Sequence, residues 1–120
     1  MKKALFAWIC VMMASPAFAA KNYKCVGTEP FWNISVVGDS LKVGAPGEQD
    51  MTLKITQRLY PQGMSESVGE AIIAQDEKTS VHMIVREDGK CNDGMSDKLY
   101  SREVWVTLNN KLLVGCCDAN

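Results

Sequence analysis

Among its 120 residues the sequence has one histidine, no Cys-x-x-Cys pair and no surplus of positive charge, with 13 Lys+Arg against 14 Asp+Glu. Each absence excludes something. Without a basic excess there is neither a patch for nucleic acid nor the polybasic segment that anionic lipid headgroups attract. Without Cys-x-x-Cys the usual thiol oxidoreductase arrangement is missing, and no zinc spacing replaces it. The single histidine, His82, falls within an alternating stretch beside Arg86, so Ser96 has nearby carboxylates but no base, and no catalytic residue is expected. No repeat, low-complexity tract or interdomain linker is present. The sequence therefore predicts neither an enzyme nor a cofactor.

What is present begins at the N-terminus. Lys2 and Lys3 precede an uncharged apolar run, Ala4 to Ala14, which breaks at Ser15-Pro16 and is followed by Ala17-Phe18-Ala19. A membrane-spanning helix needs about 20 apolar residues, whereas a signal-peptide core needs roughly 7–15 followed by small residues at the cleavage site. Residues 1–19 are therefore expected to be a signal peptide, and residues 20–120 a single exported domain in an oxidising compartment such as the periplasm. Cys25 lies beyond the cleavage position, which argues against a lipid anchor. Removing Lys2 and Lys3 leaves 11 basic against 14 acidic residues, a formal charge of −3. No later segment reaches spanning length, so no transmembrane segment is expected in the mature chain.

Cys10 goes with the leader, leaving Cys25, Cys91, Cys116 and Cys117. An even count in a small exported domain predicts disulfides, and four cysteines allow three connectivities. A bridge between the neighbours Cys116 and Cys117 would close a strained ring, which favours each of them pairing with a distant partner. On a strand their sulfurs point to opposite faces.

Elsewhere the period is close to two. Asn22–Val26, Phe31–Val37, Leu41–Val43 and Met51–Thr56 read as strands, with Met51, Leu53 and Ile55 on one face. Tyr60–Ser67 reads as an exposed loop. Val68–Gln75 resumes less cleanly and leaves a short amphipathic helix open. Val81, Met83 and Val85 alternate with His82, Ile84 and Arg86 up to a turn at Glu87-Asp88-Gly89-Lys90, and Cys91–Asp97 is a polar loop. Val104, Val106 and Leu108 lead into Asn109-Asn110, a two-residue hairpin signal, and then Lys111–Val114. About eight short strands without βαβ spacing predict an all-β fold, a small antiparallel barrel or sandwich.

Two segments carry more specific residues than such a fold demands: Cys25-Val26-Gly27-Thr28-Glu29-Pro30-Phe31-Trp32 and Cys91-Asn92-Asp93-Gly94-Met95-Ser96-Asp97-Lys98-Leu99-Tyr100. Together with Gly115-Cys116-Cys117, they resemble the signature of a family of small uncharacterised bacterial envelope ("predicted membrane") proteins. That family has Gly-Thr/Asn-Glu-Pro-Phe-Trp followed by Cys-x-Asp-Gly-Met-Ser-Asp, a Tyr and a terminal Gly-Cys. Asn92 replaces the expected Ser, and Ser101 the frequent Pro. The resemblance implies an envelope location and a β domain, without an activity.

Each segment has two readings. In one, Phe31 and Trp32 plug a barrel end, Glu29 pairs with a nearby donor, and Asp93-Gly94 with Ser96 or Asp97 makes a capped turn. In the other, Glu29 and Trp32 face a pocket at the barrel mouth, and a loop held by Cys91 presents Asp93, Ser96, Asp97 and Tyr100 to a partner. Asp93, Asp97 and Glu29 are hard oxygen ligands, but their spacing is not that of a twelve-residue calcium loop, and no metal site is expected. The reading adopted is a binding or inhibitory module for an unknown protein or small ligand of the cell envelope. Exported barrels that inhibit c-type lysozyme resemble this chain in size, in disulfide use and in a loop with Ser followed by Tyr, here Ser96 and Tyr100. The alternative is a redox-active or metal-handling protein using Cys116, Cys117, Met95 and His82.

Overall fold

The computed structural model describes residues 20–120, so the expected signal peptide, residues 1–19, lies outside the described residues. Eight antiparallel strands close into a barrel in simple up-and-down order: β1 (Tyr23–Thr28), β2 (Phe31–Val37), β3 (Ser40–Gly44), β4 (Met51–Leu59), β5 (Gly69–Gln75), β6 (Ser80–Cys91), β7 (Tyr100–Leu108) and β8 (Lys111–Ala119). β8 pairs with β1 to complete the cylinder, setting Cys25 opposite Cys117 and Val26 opposite Cys116. Closure leaves no strand edge free to template another chain.

The period-two pattern is what fills the inside. Ile34, Val36, Leu41, Ile72, Met83, Val85, Val104 and Val106 all point inward and are almost wholly buried, so the lumen is a packed core rather than a ligand cavity. Asn109 takes a positive φ of 53° in the β7–β8 hairpin, as an Asn in such a turn tolerates. Gly69–Gln75 is a strand and not a helix, preceded by a single 3-10 turn at Glu66–Val68.

The expected turn at Glu87–Lys90 is not made. β6 runs on to Cys91, which pairs with Tyr100, and the extra residues are absorbed in a register irregularity between Glu87 and Cys91. Gly89, with a φ of 77°, lets the strand bend there without breaking. The β6–β7 hairpin is thereby longer than the sequence suggests. Its tip folds back onto the outside of the barrel over β1 and β8.

The cysteines form two bridges, Cys25–Cys117 and Cys91–Cys116, so the neighbours each take a distant partner. Strand alternation divides them. Cys117 lies opposite Arg102 on the inward face, whereas Cys116 lies opposite Glu103 on the outward face. One bridge thus sits inside the barrel, and the other fastens the long hairpin to its outer wall.

Candidate functional site

The first motif is largely a packing device. Trp32 is inward and only 6% exposed, and its indole lies over two inward positions that carry no side chain, Gly27 and Gly115. A Cβ at Gly27 would overlap the indole nitrogen, and one at Gly115 would press on the six-membered ring and on the Val26 carbonyl. Cys25 and Cys117 supply the neighbouring inward pair. The spacing Cys25-x-Gly27 and the order Gly115-Cys116-Cys117 follow from clearing room for one large side chain beside one bridge.

The remainder of that motif faces solvent. Phe31 is 52% exposed and, with Pro30, Pro46, Leu108, Leu113 and one side of Trp32, lines a cleft of about 370 Å³ at the barrel mouth. Glu29 precedes Pro30 through a cis peptide bond. Its side chain is exposed, and among the described residues it makes no hydrogen bond or ion pair.

The second motif is an ordered loop. Asn92 Oδ1 accepts from the Gly94 amide at 2.7 Å while its Nδ2 donates to the Ser96 carbonyl at 2.9 Å. Asp93 accepts from the Met95 amide at 2.8 Å and from the Tyr100 hydroxyl at 2.9 Å. These bonds hold its carboxyl below the ordinary range, the Met95 amide more than the Tyr100 hydroxyl, while burial first and Asp93 second raise the Tyr100 hydroxyl. Lys98 stands 4.4 Å above the Tyr100 ring and donates to Asp118 at 2.6 Å. Asp93 and Tyr100 are therefore occupied in shaping the loop, and Ser96 accepts from the Lys98 amide at 3.3 Å. Ser96 and Asp97 are exposed at its crest.

The structure brings the two motifs together at one place. The Thr28 hydroxyl, at the end of β1, donates to the Asp93 carbonyl at 2.9 Å, and the Cys91–Cys116 bridge closes the same junction. Between loop and barrel wall remains a cleft of about 260 Å³ lined by Val26, Thr28, Asn92, Asp93, Glu103 and Val114. Glu29 and Trp32 do not line it.

Sequence reasoning missed a charged cluster inside the opposite end of the barrel. Glu70, 4% exposed, accepts from the Tyr23 hydroxyl at 2.6 Å and from Arg58 at 3.1 Å. Arg58 also donates to the carbonyls of Lys21 and Gly38, and Arg102 to that of Ser67. Burial, reinforced by Glu70, pushes the Tyr23 hydroxyl far up. Among the described residues two atoms are left over: Glu70 Oε2 and Arg102 Nε are buried with no hydrogen-bond partner there. The signal was parity. Glu70 shares a strand face with Ile72 and Ala74, as Arg102 does with Val104 and Val106, and a charged residue in phase with a buried stripe demands a partner inside.

For the alternative reading, all four cysteines among the described residues are bridged, and Cys25, Cys116 and Cys117 are at most 1% exposed. His82 is exposed beside the Ser80 hydroxyl at 3.1 Å. Among the described residues, no three His, Cys, Asp or Glu side chains converge as a metal site requires. The fold and bridges define a class: a closed, eight-stranded, disulfide-bonded antiparallel barrel. Its disulfides fit an oxidising environment. Compared with protein-family models, curated protein sequences and solved structures, the chain has no match.

Proposed function

We propose that the chain is exported to the periplasm as a member of the envelope family its two motifs resemble, and acts there as a non-catalytic binding module. Its contact surface is the outer face formed by the Cys91–Tyr100 loop and the end of β1. The observation that carries this reading is the Thr28–Asp93 hydrogen bond beside the Cys91–Cys116 bridge, which fixes both segments in one surface. A loop already held by a disulfide and by its own side chains loses little conformational freedom on binding. Because the lumen is full of side chains, recognition takes place on the outside, and a protein surface suits an exposed crest of Ser96 and Asp97 better than a small molecule does.

Inhibition of a c-type lysozyme is the specific version to test first. The protein purified after export should slow lysozyme turnover at micromolar concentration. Ser96→Ala and Asp97→Ala, both at exposed positions, should weaken that effect at least tenfold with unchanged melting temperature. Unchanged turnover at micromolar excess eliminates the inhibitor reading. Affinity capture from periplasm, comparing the native protein with the same two variants, then tests the broader one: a partner that both variants retain removes the loop from the contact.

A further inference from the structure

The outer wall of the barrel is not uniformly polar. Across β1 to β4 one outward row runs Lys24, Ser35, Lys42 and Thr52, each paired with the next, as expected of a sheet face turned to water. Across β4 to β8 another outward row runs Leu59, Ala71, Ile84, Trp105 and Val114, again in direct register. Ile84 is 60% exposed, and Trp105 and Val114 are each 49% exposed. Large apolar side chains scattered singly on a surface are ordinary, but a contiguous stripe marks an interaction face.

The stripe has an ordered polar border. Trp105 Nε1 donates to one oxygen of Glu103 at 3.0 Å, and Arg86 donates to the other at 2.7 Å. Together they hold the Glu103 carboxyl below its ordinary range, the indole more than the guanidinium. Arg86 and Glu103 are opposite each other in the β6–β7 register, one outward step from Ile84 and Trp105. His82 and Thr107 form the next outward pair on the other side. Ile84, Arg86, Glu103 and Trp105 line an open depression of about 380 Å³.

This arrangement is self-complementary. A two-fold axis parallel to β6 and β7, midway between them and just outside the wall, sets a second copy face to face with the first. It carries β6 of one copy over β7 of the other at the same level. Ile84 then meets Trp105 of the second copy, Arg86 meets Glu103 and His82 meets Thr107, each contact occurring twice as an isologous interface requires. Apolar surface meets apolar surface and each cation faces an anion, so the face supplies its own matching partner.

We propose that this face is a dimer interface between two copies of the chain, centred on Ile84 and Trp105 and bordered by Arg86 and Glu103. An apolar patch of ~300–600 Å² falls short of the ~800 Å² per partner of a standard interface, so the dimer is of roughly micromolar strength. The face does not include Ser96 or Asp97, and the inference is independent of the proposed binding loop.

Sedimentation velocity of the purified exported protein, from roughly 1 to 500 μM, is the test. The native protein should pass from monomer to dimer over that range. Trp105→Ala should weaken association by about tenfold or more, with an amide NMR spectrum that remains that of the folded barrel. Charge reversal then tests the geometry. Arg86→Glu sets like charges against each other across the axis, and so does Glu103→Arg, so each variant alone should stay monomeric. Mixed in equal amounts the two should associate, because the acidic pair of one copy then faces the basic pair of the other. A native protein that stays monomeric throughout, a dimer that Trp105→Ala leaves unchanged, charge variants that dimerise alone as the native protein does, or a mixture that fails to associate would each overturn the proposal.

Discussion

The indole of Trp32 occupies the volume that a side chain on Gly27 would need, so the two residues are defined by each other. Adding a methyl group at Gly27 should destabilise the barrel by about 1–3 kcal/mol, the ordinary cost of overfilling a core. Removing the indole with Trp32→Ala should cost about 3–5 kcal/mol. In the double variant, Gly27→Ala should cost almost nothing beyond Trp32→Ala, since the clash has gone. Urea denaturation of the four proteins measures that coupling, and strictly additive effects would contradict the packing described.

The two bridges should separate both in stability and in function. Their sequence separations are 92 residues for Cys25–Cys117 and 25 for Cys91–Cys116. In the chain-entropy view these are worth about 4.6 and about 3.5 kcal/mol. The inner bridge is nearly inaccessible, whereas Cys91 is only partly buried. A mild reductant should therefore open Cys91–Cys116 first, and amide exchange should then accelerate at Met95–Lys98 before the barrel strands lose protection. Simultaneous opening of both bridges, followed by mass spectrometry, would argue against an independently fastened loop.

The same alternation that made the strands legible explains what was not legible. Period two marked seven of the strands, the Asn109-Asn110 hairpin and the opposite orientations of Cys116 and Cys117, because a half-buried strand has no other way to arrange its side chains, while it left Val68–Gln75 open between strand and helix. It failed where the backbone changes phase. Between Ile55 and Gln57 the β4 register shifts, so that Arg58 aligns with inward Ile72 and enters the barrel where simple alternation would leave it outside. Gly89 likewise carries β6 through a segment whose composition reads as a turn. The motif residues themselves were visible, but whether Trp32 faced a partner or the core depended on what lay opposite. That was Gly27 and Gly115, one of them more than eighty residues away in sequence.

The buried ion pair of Arg58 and Glu70, 3.1 Å apart, predicts an asymmetry between single and paired substitutions. Glu70→Leu leaves Arg58 without a counter-charge inside the barrel end and should cost about 3–5 kcal/mol. Arg58→Met with Glu70→Leu removes both charges and should recover most of that loss, less the hydrogen bond from Tyr23. If the double variant is as unstable as Glu70→Leu alone, the arrangement contributes through shape rather than charge.

Acid should loosen the candidate binding loop through Asp93. Its carboxyl is held below its ordinary value by the Met95 amide and the Tyr100 hydroxyl, so the folded loop favours the ionised form more than the unfolded chain does. The sign follows: the contribution is complete above the unfolded value near ~3.9 and is lost as pH falls through the lower folded value. A carboxyl-carbon NMR titration should give Asp93 a midpoint below the ordinary aspartate value. Tyr100→Phe should raise that midpoint by removing one donor, and Asp93→Asn should abolish the acid-dependent change at Met95. An Asp93 midpoint unmoved by Tyr100→Phe would mean that the 2.9 Å contact does not persist in solution, and the loop would then owe its shape to the Asn92 bonds and the Cys91–Cys116 bridge alone.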